Sequence, residues 1–128
     1  MDMRFTPTVP PREFEVGRDT PIILKDCARI ELEPNEQVTM VAESGAEYDV
    51  VRKSWGFYAA PSLNGRLQEF GLRAVLVKSP LPKYYVFLVE NGKEDDLQSY
   101  LDIEGHTIVC WMDSDEALEA LDRKLSGP

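Results

Sequence analysis

The sequence predicts an α+β domain built mainly on antiparallel sheet, with an N-terminal meander, a central hairpin and two C-terminal helices in a β-β-α-β-α order. Three observations predict it. Short apolar–polar alternations fill the first half, two runs rich in β-branched and aromatic residues flank a Ser-Pro-Leu-Pro turn, and two amphipathic stretches with helix-start signals close the chain. At 128 residues there is room for one core and little more.

Residues 1–12 hold Pro7, Pro10 and Pro11 and show no apolar period, so they read as an extended, mobile arm ahead of a single domain spanning 13–128. Phe14 and Val16 then alternate with charged neighbours, Ile22 to Leu24 form a short apolar run, and Ala28, Ile30 and Leu32 alternate with Arg29, Glu31 and Glu33. Pro34-Asn35-Glu36 supplies a turn. Val38, Met40 and Ala42 follow as a further strand, and Tyr48 to Lys53 as another after Ser44-Gly45.

Trp55 to Leu67 mixes large aromatics with Gly, Pro, Ser and Asn and keeps neither period, which predicts an irregular loop. It ends in one helical turn capped by Ser62 or Asn64, with Leu67 and Phe70 inward and Gly71 as the stop. Leu72–Lys78 and Tyr84–Val89 read as a hairpin at the centre of the core. Asn91 with Glu94 three residues on opens a helix whose Leu97, Tyr100 and Leu101 share a face, and Gly105 ends it. A strand from His106 to Met112 precedes a last helix, begun by Asp113-Ser114-Asp115-Glu116 and striped with Ala117, Leu118, Leu121 and Leu125. The apolar positions place Ile30, Leu32, Val75, Val77, Val86, Leu88, Val109, Leu118 and Leu121 in one core.

Composition narrows the function classes. The formal charge of −9 disfavours nucleic acid as a partner, because phosphate binding needs a cationic surface that releases counterions. No apolar run is long enough to span a bilayer, and the N-terminal stretch lacks the apolar core of a signal peptide, so no membrane partner and a cytoplasmic location are expected. Cys27 and Cys110 are isolated and read as buried free thiols in a reducing compartment.

Catalytic templates lack their parts. His106 is the single histidine, and HExxH, GxGxxG, Walker and GxSxG patterns are missing, so no metal and no cofactor are expected. The acid pairs Asp95-Asp96 and Asp113 with Asp115 sit at helix starts, where free amides already favour negative charge.

One segment departs from this pattern. Between Arg52 and Lys83 six basic residues (Arg52, Lys53, Arg66, Arg73, Lys78 and Lys83) stand against the single acid Glu69, leaving +5 there and −14 elsewhere. Trp55 and Tyr58 offer stacking surface, Asn64 an amide, and Arg66 and Arg73 paired donors for a phosphate or carboxylate. These five residues form the expected site for an anionic small molecule such as a nucleotide or sugar-phosphate. The strings WGFYAAPSLNGRL, FGLRAVLVKS and YYVFLVENGKEDD resemble a pattern in small bacterial proteins of uncharacterised activity, some encoded near sugar-nucleotide or surface-polysaccharide genes. The resemblance spans residues 47 to 112 and implies that ligand class, with no catalytic residues.

The sequence thus reads as a bacterial binding or accessory domain. An enzyme on sugar-phosphates is an alternative, with Tyr58, Asp49, Glu69 or His106 as acid or base and nothing to choose among them. A protein-interaction module, such as a homodimer formed through the aromatic loop, is the other.

Overall fold

In the computed structural model, residues 4–17 and 20–127 are described. Residues 1–3 of the expected arm, together with Arg18, Asp19 and Pro128, lie outside the described residues. The chain is α+β and mostly antiparallel, with its two longer helices C-terminal.

Three sheets follow one another. Strands β1 (Arg4–Val16) and β2 (Ile22–Glu31) form a two-stranded ribbon. Within the expected arm, Arg4 to Pro7 and Arg12 pair with β2. The register slips between Pro7 and Arg12, where prolines cannot donate to the ladder. Strand β3 (Gln37–Val41), β4 (Glu47–Lys53) and β5 (Gly56–Ala59) make the second sheet in the order β3-β4-β5.

A short helix α1 (Arg66–Glu69) leads to the third sheet, in which β6 (Leu72–Lys78) is flanked by β7 (Tyr84–Glu90) and β8 (Thr107–Trp111). The Ser62 hydroxyl accepts from the Arg66 amide at 3.1 Å, and Gly71 ends the turn at φ 85°, a conformation that favours glycine. Helix α2 (Glu94–Glu104) connects β7 to β8, and α3 (Asp115–Ser126) closes the chain.

Core formation follows the alternation of β6. Val75 and Val77 pack with Val89 of β7 and Leu101 of α2, while Leu72 and Ala74 on the opposite face pack with Leu67 of α1 and Ala46. Both faces of this strand are covered, which is why it reads as a continuous apolar run. Phe87, Leu97, Ile108 and Trp111 extend the first cluster; Tyr48, Leu88 and Met112 extend the second.

Several expected core positions lie elsewhere. Of the nine, Val75 and Val77 are buried, Leu32, Leu88 and Leu118 are half-buried, and Ile30, Val86, Val109 and Leu121 are exposed. β7 is an edge strand, so its outer half lacks a covering layer. The stripe on α3 has no buried residue, and Leu125 is 79% exposed. Cys27, on the two-stranded ribbon, is exposed and Cys110 half-buried, both as free thiols. The start of α2 also differs: Lys93 occupies the cap position without a side-chain cap, while the Glu94 carboxylate turns to Arg73. At α3 the expected cap forms, with the Ser114 hydroxyl accepting from the Ala117 amide at 3.0 Å.

Candidate functional site

The segment expected to be an irregular aromatic loop is largely strand. Ser54 and Trp55 make a tight turn, and β5 pairs Tyr58 with Val51 and Phe57 with Arg52. Trp55 is 70% exposed and stacks on Tyr58, with ring centroids 6.2 Å apart at 22°. Phe57, 62% exposed, lies beneath the Arg52 guanidinium at 5.6 Å.

The polar members of the expected site are drawn to separate carboxylates. Asn64 donates to Asp115 at 2.8 Å. Arg66 pairs with the buried Asp49 at 3.6 Å and lies 4.9 Å over the Phe70 ring. Asp49 also accepts from the Thr39 hydroxyl at 2.6 Å. Arg73, on the third sheet, donates through Nε to buried Asp113 at 2.6 Å and through a terminal nitrogen to Glu94 at 3.2 Å, with its guanidinium 4.0 Å over Trp111.

Those contacts explain the titration behaviour. The hydrogen bond to Asp113, with a further contribution from Glu94, raises the Arg73 pKa above its ordinary value against the opposing effect of burial. Glu94 titrates below the usual glutamate range, first because it accepts a backbone hydrogen bond at the helix start and then because Arg73 donates to it. The structure therefore brings Trp55 and Tyr58 together and sends Asn64, Arg66 and Arg73 to partners of their own.

A second constellation has the concavity of a binding site. A cleft of about 510 Å³ opens between the end of β1, the β6–β7 connection, β7 and α2. Val16 and Gly17 form one margin, and Ser79, Pro80 and Leu81 another. Tyr85 and Phe87 point into it from β7, where strand periodicity sets them on the face that α2 covers. Tyr100 and Glu104 come from α2, and His106 from the residue before β8.

The four rings form one cluster. Tyr85 and Phe87 lie 6.3 Å apart, Phe87 and Tyr100 6.1 Å, Tyr100 and His106 6.1 Å, and Tyr85 and His106 6.4 Å. Their planes are tilted against one another by 31° to 64°, as edge-rich aromatic packing prefers. His106 is held by its own backbone, whose amide donates to Leu101 at 2.8 Å as the chain leaves α2 through Gly105 in the left-handed conformation. Its Nδ1 is buried without a hydrogen-bond partner among the described residues. Glu104, itself buried, adds a carboxylate to the lining, and the buried Ser79 hydroxyl accepts from the Lys83 amide at 2.9 Å.

Chemically the cleft combines stacking surface with a few polar atoms, which is the pattern of small-molecule sites. The lining holds no lysine or arginine among the described residues. Nor does any group of three or more His, Cys, Asp or Glu side chains among them converge as metal ligands would. Of the acid–base alternatives, Asp49 is engaged by Arg66 and Thr39, and His106 belongs to the ring cluster. No helix among the described residues is long and apolar enough to cross a membrane.

No family model matches the chain, and neither does any curated protein or solved structure.

Proposed function

We propose that this chain is a non-catalytic, cytoplasmic binding domain whose ligand is a ring-bearing small molecule seated in the aromatic cleft. One observation carries the proposal: four rings from β7, α2 and the start of β8 converge on a cleft of about 510 Å³, inside the range of roughly 300 to 1,000 Å³ typical of ligand pockets. Planar faces at that spacing favour a base or sugar face, and the buried Nδ1 of His106 orients it. The resemblance to bacterial proteins encoded near sugar-nucleotide genes favours a ligand that carries a base or sugar ring.

Charge distinguishes this site from the one expected at Trp55, Tyr58, Asn64, Arg66 and Arg73. An anion at Arg66 or Arg73 competes with Asp49 or Asp113. In the cleft, a neutral ring avoids the desolvation of a phosphate beside Glu104 in a protein of charge −9.

A thermal-shift screen of nucleosides, the matching nucleotides and sugar-phosphates tests this, because a ligand that binds the native state raises apparent stability. Neutral nucleosides raise Tm more than their phosphates do, and Tyr100→Ala abolishes the shift. A preference for the phosphates that is lost in Arg66→Ala assigns binding to the Trp55–Arg73 region instead.

A further inference from the structure

We propose that the protein forms a two-fold homodimer in which β2 of one copy adds antiparallel to β2 of the other, making a four-stranded sheet in the order β1-β2-β2-β1. The ribbon is the part of the fold that needs such a partner. Two strands alone are marginal in water, and no other described strand pairs with either of them.

Its two edges differ. The outer edge of β1 carries Pro7, Pro10 and Pro11, which cannot donate to an added strand. Between Ile22 and Glu31 the edge of β2 has no proline, and no described strand lies beside it. One face of the ribbon is also mostly apolar, interrupted by the Arg12–Asp26 ion pair. Register sets Phe14 opposite Leu24, Val16 opposite Ile22 and Phe5 opposite Ile30, and Phe5 is 56% exposed. Joining two ribbons at β2 fuses these faces into one wider apolar layer.

Charge selects both the partner and the register. On the described strands Arg4, Arg12, Lys25 and Arg29 balance Glu13, Glu15, Asp26 and Glu31, so two ribbons meet without the repulsion that the acidic remainder imposes. A two-fold axis normal to the sheet keeps even residues opposite even ones, and period-two alternation then keeps apolar faces together. Centred on Lys25 or Asp26, the axis sets that charge against its own copy. Centred on Cys27, it sets Lys25 against Arg29. Centred on Ala28, it sets Lys25 against Glu31 twice. Among registers that overlap most of β2, the last alone has no like charges directly opposed.

The test is charge reversal followed by mixing, read by sedimentation velocity on the full chain at micromolar concentration. Wild type sediments as a dimer. Lys25→Glu alone opposes two carboxylates at each end, Glu31→Lys alone opposes two ammonium groups, and both variants sediment as folded monomers. An equimolar mixture of the two restores the dimer, because each variant supplies the charge the other lacks. Circular dichroism establishes that each single variant keeps the native fold. A monomeric wild type, single variants that remain dimeric, or a mixture that stays monomeric overturns the proposal.

Discussion

Arg73 shows how a residue of conspicuous binding chemistry can be committed to the fold. Its guanidinium bridges Asp113 and Glu94 and covers Trp111, so removing it leaves the buried Asp113 carboxylate without its main partner. Arg73→Ala is expected to destabilise the protein by roughly 2 to 4 kcal/mol, the scale for breaking a largely buried, hydrogen-bonded charge pair. Arg66→Ala is milder, because the Arg66 side chain is more than half exposed and its contact with Asp49 is longer. Urea denaturation of both variants checks the order; equal losses contradict it. From sequence these two arginines looked equivalent, since both stood in the one basic stretch, whose single acid is Glu69. Their partners Asp49 and Asp113 come from distant parts of the chain, and no local pattern announces such pairs. The cleft residues were hidden for a related reason. Tyr85 and Phe87 read as strand core, Tyr100 as a helix face and His106 as a strand start; they become a site only once α2 is laid over the sheet in which β7 and β8 flank β6.

Elements were legible where both burial and periodicity were strong. Strand β6, the start of α3, the stop of α2 at Gly105 and the turn of α1 around Leu67 all lie where alternation, capping chemistry and glycine placed them. Strand β5 was not legible, because Phe57 and Tyr58 are both exposed and an edge strand with neither face covered leaves no alternation to read. The stripe of α3 misled in the opposite direction. Its period is helical, but the later turns meet no covering layer, so the pattern formed the helix without forming a core. Helices α2 and α3 should therefore respond differently to truncation. Leu101→Ala, at a fully buried position between Val75 and Val89, is expected to cost roughly 2 to 5 kcal/mol. Leu125→Ala should stay within about 0.5 kcal/mol, as surface substitutions do. Thermal denaturation of the two variants measures the contrast, and a large loss for Leu125→Ala would reveal a covering surface that the fold as described lacks.

At the scale of the whole molecule, the acidic charge and the position of its paired carboxylates set the response to pH. Glu94 titrates below its ordinary value of 4.5, and so does Glu90, first through the hydrogen bond donated by the Ser44 hydroxyl. A carboxylate with a depressed folded pKa contributes stability that is complete above the unfolded value and disappears as pH falls through the folded one. Stability should thus be level near neutrality and decline below pH 4.5, and Glu94→Gln should flatten that decline. On the alkaline side, burial raises the Tyr48 phenol above 10.0, so the unfolded chain ionises first and stability falls again beyond that value. Between those limits the Trp55–Tyr58 stack lies exposed on the surface, whereas the ring cluster lines an open cleft. NMR chemical-shift mapping with a neutral nucleoside distinguishes them directly. The expected result is saturable perturbation confined to Tyr85, Phe87, Tyr100, His106 and their neighbours, abolished in Tyr100→Ala. Perturbations centred on Trp55, Tyr58 and Arg66, or none at millimolar ligand, would contradict binding in the cleft.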